Sequence, residues 1–117
     1  MRAVFIGTVE FSKFALQKLI DINCDIVGVV TKENSSFNTD YSNIVPICEN
    51  TNIPVHITHS INDNKTVTWI LDLEPDIIFC FGWSEIIKED ILGMPKKGVI
   101  GFHPTLLPLN RGRHPLI

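Results

Sequence analysis

Ile77-Ile78-Phe79-Cys80-Phe81, followed at once by Gly82-Trp83-Ser84, is the stretch on which the fold turns. A strand with one face in water alternates apolar and polar side chains. An unbroken apolar run is what a strand needs when helices cover both of its faces, the habit of parallel sheets. Working outward from this run, the preceding residues Val67, Ile70 and Leu71 share one face of a helix that Asn62 or Asn64 is placed to cap. Beyond it, Ser84 is placed to cap a helix carrying Ile86, Ile87 and Ile91, which Gly93 and Pro95 end. Val99-Ile100-Gly101-Phe102 then reads as another strand.

The first half of the chain repeats the pattern. Ala3-Val4-Phe5-Ile6 is a strand ended by Gly7, and Phe11, Phe14, Ala15 and Leu19 fall at helical spacing behind it, with Thr8 as cap and Glu10 in the first turn. Ile26 to Val30 is the second strand, Lys32 to Asp40 a polar loop, Asn43 to Glu49 a short helix interrupted by Pro46, and Val55-His56-Ile57 a third strand. Residues His103 to Ile117, with three prolines, read as loop. Strand–helix alternation of this kind predicts an α/β, Rossmann-like, doubly wound parallel sheet of five strands with right-handed crossovers and helices on both faces. Ligands in such sheets sit beyond the carboxyl ends of the strands, where strand order reverses. With three strands running outward from the first and the fourth on its other side, that crevice lies between Gly7-Thr8-Val9 and Gly82-Trp83-Ser84.

Composition narrows the classes. The 117 residues are 44% hydrophobic and 20% charged with a formal net charge of −3, which fits one domain able to bury roughly 65% of its unfolded surface. Neither an apolar run of membrane-spanning length nor a secretory h-region is present, so a cytoplasmic protein with no membrane partner is expected. Mild acidity argues against a nucleic-acid partner. Cys24, Cys48 and Cys80 form no C-x-x-C and read as reduced thiols that pack as small hydrophobes. His56 and His59 lack a third ligand, so no metal is expected, and the Gly7 turn lacks the G-x-G-x-x-G of a dinucleotide site.

Chemistry concentrates after the last strand. His103 falls where a parallel strand delivers a side chain to the ligand edge, and an imidazole there serves either as a proton shuttle or as a packed, capping histidine. From His103 onward the sequence reads His103-Pro104-Thr105-Leu106-Leu107-Pro108, then Arg111-Gly112. This resembles the H-x-S-L-L-P…R-G loop of the folate-dependent formyltransferases. Phe5-Ile6-Gly7-Thr8-Val9-Glu10-Phe11 resembles the family's first-strand turn with Val9 in place of proline, and Val27 to Thr31 and Asp76 to Trp83 are similar to two further strands. The similarity runs in order along essentially the whole chain, which is identified as an N-terminal formyltransferase domain, residues 1–117, that binds N10-formyltetrahydrofolate.

The resemblance implies transfer of a formyl group from that co-substrate to an amine, through a tetrahedral intermediate whose oxyanion needs hydrogen-bond donors. It makes His103 the catalytic residue, Phe81, Gly82, Trp83, Ile86 and Ile87 the pterin-lining segment, and Thr8, Thr105, Arg111 and Arg113 substrate-binding residues. Two features depart from the family. Its asparagine, two residues before the histidine, is Gly101 here, and its later aspartate has no counterpart before Ile117; the chain thus reads as truncated at its C-terminal end. Asp76 and Asp90 precede the histidine loop and do not fill that role.

The acceptor is argued from details. Lys32 to Asp40 has one lysine and no glycine, unlike the Gly- and Lys-rich loop of the methionyl-tRNA branch. Asn110-Arg111-Gly112-Arg113-His114-Pro115 looks more like the sugar N-formyltransferase branch, and guanidinium groups pair bidentately with phosphate. A nucleotide-linked amino sugar is therefore the expected acceptor. The alternatives are a methionyl-tRNA or glycinamide ribonucleotide formyltransferase, and a catalytically silent folate-binding fragment. A homodimer is expected to use elements beyond this chain.

Overall fold

A computed structural model describes residues 1–33 and 41–102. Five strands form one sheet: β1 (Arg2–Ile6), β2 (Asp25–Thr31), β3 (Val55–Ile57), β4 (Ile77–Phe81) and β5 (Val99–Phe102). Their order is β3-β2-β1-β4-β5 and every pairing is parallel. The predicted doubly wound α/β sheet is thus observed, with strand order reversing between β1 and β4.

The helices are α1 (Glu10–Asp21), α2 (Val45–Thr51), α3 (Asn64–Asp72) and α4 (Glu89–Leu92). Alternation along the strands divides the core in two. On one face Ala3, Phe5, Val29 and Ile77 pack with Leu16 of α1 and Cys48 of α2; on the other Val4, Ile6, Val30, Ile78 and Cys80 pack with Ile70 of α3 and Ile91 of α4. Every second side chain of β4 enters each half of the core, the physical reason for its unbroken apolar run. Burial pushes the Cys80 thiol up to about 12 and the Cys48 thiol up to about 11, consistent with thiols that pack as hydrophobes. Cys24 is only partly buried.

Several local expectations need correction. Helix α1 is capped at Val9, not Thr8: the Val9 N–H donates to Ser12 Oγ at 3.1 Å, and the Thr8 hydroxyl is engaged elsewhere. Its buried residues are Ser12 and Leu16, whereas Phe11 and Phe14 are exposed. Ser12 is buried because its hydroxyl has a partner on β4, which no helical period encodes. Helix α3 is capped by Asp63, whose carboxylate accepts from the Thr66 N–H at 2.7 Å, rather than by Asn62 or Asn64, and Leu71 is exposed. The helix expected from Ser84 begins only after Lys88. Residues 83–88 instead cross the carboxyl edge of the sheet without regular secondary structure.

Candidate functional site

The switch point is built from two strand ends. After β1 the chain turns at Gly7-Thr8, and after β4 at Gly82-Trp83. These turns are joined directly: the Thr8 N–H and the Thr8 hydroxyl both donate to the Gly82 carbonyl, at 3.3 and 3.2 Å. Ser12 Oγ donates to the Phe81 carbonyl at 2.5 Å while accepting from Val9, so the first turn of α1 is tied to the end of β4. Contact this close requires small residues. A Cβ on Gly7 would lie 2.6 Å from Ser12 Cβ, and one on Gly82 would lie 2.5 Å from Val9 Cγ2. Gly82 also has φ of +83°, a conformation costly for any residue with a side chain.

The Gly82 N–H donates to the Phe102 carbonyl at 2.9 Å, which brings the end of β5 beside the same turn. His103 is the next residue in the chain; it lies outside the described residues, as do Thr105, Arg111 and Arg113. Gly101, where the family's asparagine is expected, is a buried residue of β5 in register with Cys80.

The expected cofactor segment divides into inward and outward residues. Phe81 packs edge-on against Phe5, Trp83 is 3% exposed and Ile87 is buried with it, while Ile86 is 80% exposed. The Lys32 ammonium stands 4.9 Å from the Trp83 ring centroid, a cation–π contact across the end of β2. Thr8 is buried, with its hydroxyl engaged by Gly82.

Sequence reasoning missed what shapes this segment. The Glu85 carboxylate accepts from Ser60 Oγ (2.6 Å), the Ile61 N–H (2.7 Å), Trp83 Nε1 (3.3 Å) and Asn62 Nδ2 (3.3 Å). Asn62 completes the bracket: its Nδ2 donates to the Ile86 carbonyl at 2.8 Å, and its Oδ1 accepts from the Lys88 N–H at 3.1 Å. Burial alone would raise the Glu85 carboxyl, but the hydrogen bonds from Ser60, Ile61, Trp83 and Asn62 outweigh it and hold the group below the ordinary range. Magnitudes explain why no helix starts at Ser84. A glutamate in a first helical turn gains about 0.3–1 kcal/mol from the dipole. Each hydrogen bond to a carboxylate is worth about 1.5–3 kcal/mol. No signal along the chain announces this, since three of the four partners lie 23 to 25 residues away.

As a consequence, none of the backbone N–H groups from Trp83 to Ile87 donates to a described residue. The carboxyl edge thus carries an exposed isoleucine in a run of main-chain donors that are unpaired among the described residues. Other candidates are accounted for. His56 bonds Thr66 Oγ1 at 3.0 Å and stacks on Trp69. Asp76 lies at the opposite, amino edge, accepting from the Arg2 N–H at 2.8 Å. That edge also carries a hollow of about 560 Å³ lined by Leu71, Asp72, Glu74, Pro75, Met94 and Lys96. Among the described residues no group of three or more His, Cys, Asp or Glu could hold a metal ion, and no helix is long and apolar enough to cross a membrane.

Comparison with known proteins bears on the fold and the lineage. Among solved structures, glycinamide ribonucleotide transformylase 1 from Geobacillus kaustophilus superposes with a TM-score of 0.64 at 15% identity, over 96% of this chain and 62% of that one, a likeness of fold. The methionyl-tRNA formyltransferase of Alkaliphilus oremlandii is 36% identical over 120 residues, and that of Clostridioides difficile 34% over 120 residues. Each alignment takes in 99% of this chain but 39% of the relative, so the chain spans about two fifths of the length of the curated relatives it matches. The sequence profile described as "Formyl transferase" matches residues 1–116. With that match spanning nearly its whole length, and with the resemblance in its strand-end turns, the chain belongs to the formyl transferase family.

Proposed function

We propose that the full protein transfers a formyl group from N10-formyltetrahydrofolate to the primary amine of a nucleotide-linked amino sugar. The observation that carries the donor half of this reading is the rim from Gly82 to Lys88: an exposed Ile86 against the main-chain N–H groups of residues 83–87, which are unpaired among the described residues. A pterin is flat, with one apolar face to cover and edge acceptors and donors to satisfy, and these residues fit it. When bound, the co-substrate would supply the formyl carbon to which the acceptor amine adds; the C–N10 bond would then break, with N10 taking up the proton that the acceptor amine gives up. In this reading Phe81, Gly82 and Ile86 bind and orient the ring, the buried Trp83 and Ile87 anchor the segment that carries them, and Thr8 holds Gly82 in place through its carbonyl. His103 follows Phe102 directly, and its imidazole takes the amine proton or stabilises charge developing on the formyl oxygen. Thr105, Arg111 and Arg113 contact the acceptor, with the guanidinium groups on its phosphates. In this reading the protein works in the cytoplasm.

The sugar acceptor rests on Asn110-Arg111-Gly112-Arg113 and on the lysine-poor loop after β2. A second reading is favoured by the relatives, which carry the name methionyl-tRNA formyltransferase; in it the acceptor is the methionyl amine on tRNA. A nucleic-acid partner is then required. Turnover assays on the full coding sequence's product separate the readings. Tetrahydrofolate release is followed with a panel of nucleotide-linked amino sugars and with methionyl-tRNA. Release with an amino sugar alone supports the first reading, and release with methionyl-tRNA alone replaces it with the second. Donor binding with no turnover on either leaves a silent folate-binding protein. His103→Ala is expected to lower turnover by about 10²-fold or more while donor affinity is retained. Preserved turnover in that variant removes His103 from the chemistry.

A further inference from the structure

The proposed donor segment does not hold its own shape. Its sequence, Ser84-Glu85-Ile86-Ile87-Lys88, favours a helix continuous with α4. The bracket of Glu85 and Asn62 prevents this by tethering the segment at four places to the loop between β3 and α3: Glu85 to Ser60 and Ile61, Asn62 to the Ile86 carbonyl, and Asn62 to the Lys88 N–H. A carboxylate has about four lone-pair sites, and Glu85 uses them on four donors. One of those donors is Trp83 Nε1, so the same carboxylate also orients the ring that lies between Lys32 and the core. The outcome is specific: Trp83 and Ile87 turn inward, Ile86 turns outward, and the main-chain N–H groups between them stay out of helical hydrogen bonds.

We propose that Glu85 and Asn62 are positioning residues for the formyl donor, acting through the backbone of residues 82–88 rather than by touching the ring. The proposal rests on the reading of that segment as the donor site. It predicts that the bracket controls donor affinity and leaves acceptor recognition alone. Loss of even one hydrogen bond to a charged group corresponds to about tenfold or more in an equilibrium constant.

The test uses the full-length protein, with N10-formyltetrahydrofolate as donor and a non-transferable folate analogue for direct binding. Wild-type protein that does not bind the analogue overturns the donor-site reading itself. Given wild-type binding, Glu85→Ala and Asn62→Ala are each expected to raise the donor KM and the analogue Kd about tenfold or more, with the acceptor KM moving less than about threefold. Glu85→Gln, which keeps one acceptor oxygen, is expected to recover part of the loss. Hydrogen exchange gives a readout independent of ligand: the amides of Glu89 and Asp90 gain protection in Glu85→Ala as helix α4 extends backward and supplies them with carbonyl partners. If Glu85→Ala fails to fold, Asn62→Ala and Glu85→Gln decide the matter. Donor KM unchanged in the folded variants overturns the proposal, as does a rise in donor and acceptor KM by the same factor.

Discussion

At the scale of single residues, the site depends on atoms that leave no room for others. Gly82 combines a positive φ with a Cβ position already occupied by Val9 and Ser12. Left-handed backbone costs a residue with a side chain about 1–2 kcal/mol, and forcing a methyl into a packed position adds about 1–3 kcal/mol. Gly82→Ala is therefore expected to lower the free energy of unfolding by about 2–5 kcal/mol, measured by urea titration of the full-length protein. A change below about 0.5 kcal/mol would show that the turn relaxes freely. The glycine itself is plain in the sequence, sitting directly after an apolar run. What presses on it is not, because Ser12 reads as an ordinary polar residue of a helix and is in fact fully buried.

Elements show how far local pattern carries and where it stops. The strand β4 was legible because both of its neighbours in the core demand apolar side chains at consecutive positions. Helix α4 was over-read, since an amphipathic period near Ser84 competes with tertiary hydrogen bonds from Ser60, Ile61 and Asn62, and loses. Capping of α3 is a finer case, in which three adjacent residues could all serve and Asp63 does. Hydrogen bonds from the Thr66 N–H and then the Thr58 hydroxyl hold its carboxyl below the ordinary range. A group with a depressed folded-state pKa contributes stability above its unfolded value and loses it as pH falls through the folded value. The contribution of Asp63 is thus complete above about pH 4 and fades below it. Asp63→Asn keeps a good cap without the charge, so its unfolding free energy is expected to fall less steeply than wild type between about pH 4 and pH 2. Asp63→Ala, which removes the cap, is expected to cost about 1 kcal/mol at neutral pH. Parallel pH curves for wild type and Asp63→Asn would show that Asp63 does not titrate differently on folding.

At the scale of the whole molecule, a hollow lies at the amino edge of the sheet and the proposed donor site at its carboxyl edge, and the topology favours the second. The hollow at the amino edge is lined by Leu71, Asp72, Glu74 and Lys96 among others, and no strand order reverses around it. At the carboxyl edge, order reverses between β1 and β4, and Thr8, Gly82 and Phe102 are joined by main-chain hydrogen bonds. Hydrogen exchange with a saturating folate analogue is therefore expected to slow amides in Gly7–Val9 and Gly82–Lys88 and to leave those around Glu74 and Lys96 unchanged. Binding at 100 times Kd is expected to add about 2.7 kcal/mol to stability. Protection confined to the amino edge would move the site to the other end of the sheet.

Alternation of apolar runs with amphipathic stretches was enough to determine the parallel five-stranded sheet and its switch point, because burial on two faces and crossover handedness constrain local pattern directly; the family came from the resemblance of the His103 loop and the strand-end turns. The strand-end turns followed from the same logic, as a strand must stop where its apolar run stops. Only the tertiary structure decided that Ser12 is inside, that Phe11 and Phe14 are outside, that Thr8 bonds to Gly82, and that residues 83–88 are irregular instead of helical. Each of these depends on a partner far away in the chain: 69 residues separate Ser12 from Phe81, and 25 separate Glu85 from Ser60. A period of 2 or 3.6 residues reports which side of an element meets the core, but it holds no record of which polar atom waits there.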